Sequence, residues 1–318
     1  MLSSGILSRI GNTPLIKLSR LLPASSAGVA VKPEYLNPSG SIKDRIALRM
    51  VEEAERQGRL RPGMNIIEAS TGNTATALAF VGATKGYRVT LYVPKNATSE
   101  ERIRMCRAYG AEVIEVDIEH GDFLKESGVH GALVEFIPRK ICHEKEQRDP
   151  EHIWWARQFS SQYNIAAHQD TTAQEILEQT SGKVDAFVAA IGTGGTLVGV
   201  AMALRNVDPS VKIIAVEPKE SRTMRNGKLT VPVIEGYSGG ILLQVAELAD
   251  EVIAVGEKDA VGMCHRLAEE EGLFCGVSSG ANVLAALQVA QGLGPDKQVV
   301  TILPDSRDRY TFVERFTT

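Results

Sequence analysis

The sequence predicts an α/β protein with mostly parallel sheets that are covered by helices on both faces. Short apolar segments alternate with longer segments of helical pattern along most of the chain. This alternation is typical of parallel sheets, because two neighbouring parallel strands need a crossover connection, which is usually a helix. With 318 residues, 43% of them hydrophobic and 23% charged, the chain is long and apolar enough for one large or two medium globular domains.

The first half of the chain carries four predicted strands and three predicted helices. Most of these elements are bounded by turns rich in glycine, serine or proline. The strands are predicted at residues 29–34, 65–69, 88–93 and 112–117, and the helices at residues 42–57, 75–85 and 99–109. Residues 118–155 interrupt the alternation, and their charges, glycines and prolines predict some helix and much loop.

The alternation resumes in the second half, with four more strands and four more helices. The strands are predicted at residues 184–191, 212–216, 251–255 and 298–303, and the helices at residues 172–180, 197–207, 259–271 and 280–291. Asp259 is the expected N-cap of its helix. Residues 219–243 are glycine-rich and irregular, as loops that face a substrate often are.

The irregular segment near Asp149 is the best place to divide the chain. It predicts a smaller N-terminal α/β domain of residues 1–156 and a larger C-terminal α/β domain of residues 157–318. The first ~35 residues are candidates for packing on the other domain.

Composition excludes several classes of partner. A net charge of −4 gives no electrostatic reason to bind nucleic acid or a membrane surface. No apolar run is long enough to span a bilayer, and the N-terminus lacks the basic start of a secretory signal. The four cysteines show no Cys-x-x-Cys spacing, so we expect reduced thiols in a cytoplasmic protein and predict no metal site.

One lysine, Lys43, follows a turn of small residues at the start of a predicted helix. A lysine held there in one pose and partly desolvated can act as an amine nucleophile or a base. Taken alone, this stretch is explained by an ordinary solvated surface lysine. The reactive-amine hypothesis therefore depends on motifs elsewhere in the chain. The stretch reads Asn37-Pro38-Ser39-Gly40-Ser41-Ile42-Lys43-Asp44-Arg45.

Two further turns connect a predicted strand to a predicted helix. Glycines let backbone N–H groups approach an anion closely, so Gly192-Thr193-Gly194-Gly195-Thr196 predicts a phosphate site, with a tight structural turn as the alternative. Leu197 stands where a dinucleotide fingerprint needs its last glycine, so a single phosphate monoester on a cofactor fits better. The second turn has four polar side chains in five residues, which favours a carboxylate ligand over an ordinary helix cap: Ser70-Thr71-Gly72-Asn73-Thr74.

Together these stretches resemble the fold-type-II pyridoxal-phosphate enzymes, most closely the cysteine synthase (O-acetylserine sulfhydrylase) and cystathionine β-synthase branch. The resemblance implies two open, twisted α/β domains. Its segments occur in the family's order over nearly the whole chain. Beside the three stretches above, they are Gly11-Asn12-Thr13-Pro14-Leu15, Gly276-Val277-Ser278-Ser279-Gly280 and Leu303-Pro304-Asp305.

The resemblance also implies a role for each matching residue. Lys43 would form the internal Schiff base with pyridoxal 5'-phosphate, and Asn73 would bond the cofactor's phenolic oxygen. Ser278 would face the pyridine nitrogen. The phosphate would be held by Gly192, Thr193, Gly194, Gly195 and Thr196, and the substrate carboxylate by Ser70, Thr71, Gly72, Thr74 and, from the other domain, Gln158.

The implied reaction is β-replacement. A serine hydroxyl at the pyridine nitrogen makes the ring a weaker electron sink than a carboxylate would, which suits an amino acid that expels a Cβ leaving group. The expected enzyme makes L-cysteine from O-acetylserine or O-phosphoserine and sulfide through an α-aminoacrylate. The alternatives are condensation of serine or activated serine with homocysteine or another nucleophile, a serine/threonine dehydratase or desulfhydrase, and a non-catalytic ligand-binding homologue. The family's habit predicts a homodimer.

The chain departs from the family's pattern where substrates are expected to bind. Ser70 and Thr71 are exchanged, residues 119–155 are unlike the family, and residues 236–240 read Gly-Tyr-Ser-Gly-Gly. Arg222 and Arg225 are candidates for binding a phosphate leaving group, which would favour O-phosphoserine. His168 is expected to make a structural hydrogen bond, and Trp154 and Trp155 to pack between domains or at a dimer contact.

Overall fold

The fold is described from a computed structural model, which covers residues 5–22, 25–95, 99–117, 136–220, 224–225, 228–229 and 240–310. The chain forms two compact units. The first contains residues 43–164 together with the N-terminal residues up to Ile10 and Gly240. The second contains residues 11–42, 165–230 and 241 onward, within the described ranges. The sequence-based domains of residues 1–156 and 157–318 stay a prediction.

Twelve strands are present in the described part of the chain. They are β1 Ile16–Lys17, β2 Gly28–Pro33, β3 Asn65–Ala69, β4 Arg88–Pro94, β5 Glu112–Val116, β6 Ile153–Trp155, β7 Ala186–Ala190, β8 Lys212–Pro218, β9 Met224–Arg225, β10 Lys228–Leu229, β11 Glu251–Val255 and β12 Gln298–Leu303.

Ten α-helices are described beside them. They are α1 Lys43–Arg56, α2 Asn73–Lys85, α3 Glu100–Ala108, α4 Phe136–Arg148, α5 Gln162–Ala167, α6 Ala173–Thr180, α7 Gly195–Val207, α8 Gly240–Leu248, α9 Glu257–Glu271 and α10 Val277–Leu293. Short 3₁₀ turns lie at Ile6–Arg9, Glu34–Leu36 and Arg307–Tyr310, and a π-helical turn lies at His168–Thr172. Among these helices, none combines the length and hydropathy needed to cross a membrane.

The first unit has a four-stranded sheet in the order β5-β4-β3-β6, and all its pairs are parallel. Strand β6 lies at one edge and carries Trp154 and Trp155, which are only 4% and 2% exposed. Both tryptophans are therefore buried, and Trp155 packs with Ile67, Ala69, Tyr92 and Cys142 of the same unit. Residues 136–155, which the sequence left without assigned elements, form α4 and this edge strand.

The second unit has a six-stranded sheet in the order β1-β2-β12-β7-β8-β11. Only β1 is antiparallel to its neighbour. Alternate residues of β7 enter two different cores, because successive side chains of a strand point to opposite faces. Ala186 and Val188 pack with α9 and α10, whereas Phe187 and Ala189 pack with α6, α7 and α8. Helices thus cover both faces, and the predicted mostly parallel α/β fold is confirmed.

Most predicted elements occur within one to three residues of their predicted bounds, with one correction at a helix start. Asp259 is not an N-cap, since α9 begins at Glu257 and the extended Gly256 precedes it. Asp259 lies instead in the first turn, where a carboxylate interacts favourably with the helix dipole. Helix α10 likewise starts at Val277, three residues before the predicted start at Gly280. Position 280, inside the helix, requires a glycine because the Ala260 carbonyl of α9 leaves no room for a side chain there.

Candidate active-site elements

Lys43 is the first residue of α1 and is half-buried. The residues just before it are fixed to the end of β12 within the second unit. The Ile42 N–H donates to the Pro304 carbonyl at 2.9 Å, and Ser41 forms a β-bridge with Asp305. Ile42 is itself only 3% exposed. These contacts hold the backbone that leads into Lys43 in one conformation.

A buried carboxylate joins two of the segments that carry the family resemblance. Glu34 has no exposed surface and accepts hydrogen bonds from Thr13 Oγ1 and from Asn37 Nδ2, both at 2.7 Å. The Asn37 Oδ1 atom accepts from the Gly11 N–H at 2.8 Å. The turn at residues 11–15 is thereby tied to the start of the stretch that carries Lys43.

A buried lysine braces the same turn. Lys32 is fully buried in β2, donates to the Thr13 carbonyl at 2.8 Å, and forms an ion pair of 2.8 Å with Glu175. Sequence reasoning missed both Lys32 and Glu34. The available signal was two charged residues in a predicted strand of a sheet covered on both faces, where a charge needs a partner.

The turn at residues 70–74 lies between the carboxyl end of β3 and the first turn of α2. Ser70 and Thr74 are buried, whereas Thr71, Gly72 and Asn73 are half-buried. Gly72 is the N-cap and has no side chain with which to cap the helix. A 13-residue helix that begins behind two hydroxyls and an amide can stabilise a carboxylate, and the predicted carboxylate site at this turn stays a prediction.

Gln158 is fixed against this turn by hydrogen bonds at both ends of its carboxamide. Its Oε1 accepts from Thr74 Oγ1 at 2.5 Å, and its Nε2 donates to the Ala69 carbonyl at 3.2 Å. Gln158 therefore meets the predicted turn, but it belongs to the same compact unit rather than to the other one. Its main role toward Thr74 is to hold the hydroxyl in place, because that hydroxyl donates to Gln158.

Glu68, which sequence reasoning also missed, fixes the backbone of Gln158 by a hydrogen bond. This carboxylate is 1% exposed. Its Oε1 accepts from the Ala69 N–H and from Trp155 Nε1, both at 2.8 Å, and its Oε2 accepts from the Gln158 N–H at 2.9 Å. It thus joins the end of β3 to the residues after β6. An acid inside the apolar strand Asn-Ile-Ile-Glu-Ala was the available signal.

The glycine-rich stretch at residues 192–196 lies at the carboxyl end of β7 and opens α7. Gly194 has φ +90°, and a side chain there would press against Val245 and Ile241. Thr193 is buried, and its Oγ1 accepts from the Gly195 N–H at 3.4 Å. Glycine residues, hydroxyls and the start of a 13-residue helix together form the donor set that an anion needs.

His168 connects this stretch to the π-helical turn that precedes α6. It has no exposed surface, and its Nε2 lies 3.2 Å from Thr196 Oγ1 while its Nδ1 lies 3.0 Å from Thr172 Oγ1. The expected structural hydrogen bond of His168 is present in this form. The histidine holds the Thr196 side chain in a fixed rotamer at the start of α7.

Ser278 lies in the first turn of α10 and is half-buried. A hydrogen bond with Cys264, together with burial, raises the pKa of the neighbouring Cys275 thiol far above its usual range. All four cysteines are buried and free, and Cys275 packs in a hydrophobic core of the second unit. Across the described ranges, no three His, Cys, Asp or Glu side chains form a group that could hold a metal ion.

Several predicted features fall outside the residues whose structure is described. They are residues 119–135, the loop at residues 236–239, Arg222 and the side chain of Arg225. The O-phosphoserine hypothesis for the two arginines stays a prediction.

Comparison with known proteins shows the family of the chain. The family model for pyridoxal-phosphate-dependent enzymes matches residues 6–305. A cysteine synthase of Staphylococcus aureus is 40% identical over 304 residues, which cover 95% of this chain and 93% of the relative.

Solved structures show the same similarity. A cysteine synthase of Entamoeba histolytica has a TM-score of 0.86 at 35% identity and covers 100% of this chain and 92% of its own. A hydrogen sulfide-producing enzyme of Fusobacterium nucleatum has a TM-score of 0.82 at 34% identity, with 98% of both chains covered.

Proposed function

The chain belongs to the family of pyridoxal-phosphate-dependent enzymes, and we propose that it makes L-cysteine from O-acetylserine and sulfide. The observation that carries this proposal is the hydroxyl-rich turn at residues 70–74, on which Gln158 is fixed, in a chain 40% identical to a cysteine synthase. Such a turn suits the carboxylate of an amino-acid substrate.

The residues of the two strand-to-helix turns fit pyridoxal phosphate. The start of α7 offers a glycine-rich, hydroxyl-bearing stretch for a phosphate, with Thr196 held by His168. We assign the phosphate to Gly192, Thr193, Gly194, Gly195 and Thr196, the phenolic oxygen to Asn73, the pyridine nitrogen to Ser278 and the covalent attachment to Lys43. The substrate carboxylate is assigned to Ser70, Thr71, Gly72 and Thr74, with Gln158 holding Thr74.

Bound pyridoxal phosphate supplies an electron sink for the pair released when the substrate loses its α-proton. Ser278, as a neutral hydroxyl, leaves that sink weaker than a carboxylate would, so loss of the Cβ acetate accompanies loss of the proton. The Lys43 amine is the base that accepts the proton. Sulfide then adds at Cβ, and the balance is O-acetylserine plus hydrogen sulfide giving cysteine plus acetic acid.

The decisive test of function compares nucleophiles and donors. Purified holoenzyme is given O-acetylserine or O-phosphoserine with sulfide, with homocysteine or with no nucleophile, and cysteine, cystathionine and pyruvate are measured. We expect cysteine from O-acetylserine and sulfide to form fastest. Faster pyruvate release without a nucleophile, or sulfide release from cysteine, would favour a lyase of the kind that the Fusobacterium nucleatum enzyme's name describes.

We further propose a cytoplasmic homodimer, which the family resemblance and the four buried thiols support. Sedimentation of the purified holoenzyme should give twice the chain mass of 34.4 kDa. A monomer mass at micromolar concentration would contradict the dimer.

We predict that Gln158→Leu raises the KM for O-acetylserine about tenfold, because it frees the Thr74 hydroxyl and leaves the Ala69 carbonyl without its donor. Steady-state kinetics at saturating sulfide measures this. Gln288→Leu, on the exposed face of α10, is the matched control and should keep the parental KM. An unchanged KM in Gln158→Leu would remove Gln158 from the substrate site.

We predict that Thr196→Val weakens binding of pyridoxal phosphate about tenfold, since it deletes a hydroxyl that His168 orients toward the start of α7. Titration of the apoprotein, followed by visible absorbance, gives the dissociation constant. The control is Thr84→Val, whose hydroxyl only bonds the Phe80 carbonyl within α2. Equal affinity in both variants would show that Thr196 does not hold the phosphate.

A further inference from the structure

The segment that follows β12, here called the connecting segment (residues 304–310), contacts two stretches that lead to residues assigned to the cofactor. The Ile42 N–H donates to the Pro304 carbonyl at 2.9 Å, directly before the lysine that opens α1. The Gly276 N–H donates to the Asp305 carbonyl at 3.0 Å, directly before α10. All four of these residues belong to the second unit. One short segment therefore holds two stretches that lie far apart in the sequence.

A hydrogen bond between two side chains closes the connecting segment on itself. Asp305 is only 1% exposed, and its Oδ2 accepts from the Tyr310 hydroxyl at 2.7 Å. Tyr310 is half-buried and ends the 3₁₀ turn Arg307–Tyr310. A hydroxyl that donates to a carboxylate forms one of the stronger hydrogen bonds in proteins. The bond therefore fixes the carboxylate and the phenol ring relative to each other.

Both of these side chains pack directly against Gly276. A Cβ atom added at this glycine would lie 2.2 Å from Asp305 Oδ1 and 2.6 Å from the Tyr310 ring, closer than real Cβ atoms approach other atoms. Gly276 is the N-cap of α10, and Ser278 follows two residues later in the first turn. A displacement of the Asp305 carboxylate would therefore move the backbone that carries the Ser278 hydroxyl.

We propose that Tyr310 and Asp305 are positioning residues for bound pyridoxal phosphate, which hold the Ser278 hydroxyl at the place assigned to the pyridine nitrogen. The inference rests on that proposed assignment of Ser278. Neither Tyr310 nor Asp305 is itself assigned to the cofactor or to the substrate, and both act through Gly276. The strength of a hydrogen bond falls steeply with poorer geometry, so a small displacement of Ser278 is sufficient to weaken its bond to the ring.

The test measures cofactor binding, with no substrate present. Apoprotein of the parent and of Tyr310→Phe, which keeps the ring and deletes the hydroxyl, is titrated with pyridoxal phosphate while the visible absorption is recorded. We expect the variant to bind the cofactor about tenfold more weakly. The absorption maximum of the bound cofactor should shift as well, because hydrogen bonds to ring nitrogens tune its electronic state.

The matched control is Tyr87→Phe. The Tyr87 hydroxyl also donates to a carboxylate, Glu55 Oε1, at 2.9 Å, but it lies in the first unit and neither residue is assigned to cofactor or substrate. This variant should keep the parental dissociation constant and absorption maximum, even where urea unfolding shows a loss of stability. Equal weakening in both tyrosine variants, or parental binding and absorption in Tyr310→Phe, would overturn the proposal. As a second pair, Asp305→Asn keeps an oxygen acceptor for Tyr310 and should bind the cofactor more tightly than Asp305→Leu, and equal binding by these two would count against the hydrogen bond.

Ser278→Ala separates a failure of this inference from a failure of the proposed function. If Tyr310 acts through Ser278, then Ser278→Ala shifts the absorption maximum, and adding Tyr310→Phe to it weakens binding by less than about twofold more. A shift in Ser278→Ala without one in Tyr310→Phe would overturn the positioning role alone. Parental absorption in Ser278→Ala would contradict the assignment of Ser278 and this inference with it. Because no substrate is added, none of these results depends on which donor or nucleophile the enzyme uses.

Discussion

Lys43→Ala is expected to lower cysteine synthesis from O-acetylserine and sulfide by about 10⁴-fold, because it removes the amine that accepts the α-proton. Its backbone should be unaffected, since Ile42 and Ser41 are anchored by their own contacts to residues 304 and 305. Initial rates of cysteine formation at saturating substrates measure the loss. Added ethylamine should restore part of the rate in the variant, which a purely structural lysine would not allow.

The matched control is Lys85→Ala. Lys85 ends α2 and forms a partly buried ion pair of 2.8 Å with Glu55, and it is not among the residues assigned to the cofactor or substrate, so its loss should leave the rate within twofold. If the Lys43→Ala variant kept a tenth of the parental activity, Lys43 would be excluded as the base.

Glu68→Ala should lower the free energy of unfolding of the first unit by about 3 kcal/mol or more. The carboxylate accepts three hydrogen bonds, from Ala69, Trp155 and Gln158, and its removal leaves three buried N–H donors unpaired. The KM for O-acetylserine should rise as well, because the same contacts place Gln158. Urea unfolding of the holoenzyme, followed by tryptophan emission, measures the change in stability.

Glu100→Ala is the comparison for Glu68. Glu100 lies in the first turn of α3 with a side chain that is 58% exposed, so its removal should cost under about 1 kcal/mol. If the unfolding midpoints of the two variants coincide, the Glu68 hydrogen bonds contribute nothing net to the fold.

Local pattern was sufficient to predict the strands. Strands β3, β11 and β12 have the bounds that their apolar runs predicted. A short run of apolar, β-forming residues can be recognised from the local sequence, without knowledge of distant contacts. Helix starts were less accurate. The sequence predicts the start of α10 at Gly280, whereas the helix begins at Val277. The close approach of the Ala260 carbonyl, which only the structure shows, explains why a glycine lies inside the helix.

The turns that carry the candidate site were also predictable. Residues 70–74 and 192–196 follow β3 and β7 directly, and in parallel sheets ligands bind at the carboxyl ends of strands. The family resemblance added the roles of the single residues, and comparison confirmed the family and the cofactor.

By itself the sequence determined the α/β class, the order of eight strands and seven helices, the family and the turns where ligand chemistry is expected. The tertiary structure alone decided how these turns are held: Gln158 meets Thr74 across 84 residues, Trp155 meets Glu68 across 87, and Thr196 meets His168 across 28. Periodicity and turn chemistry depend on near neighbours in the chain, whereas a buried polar group takes whichever partner the fold brings to it.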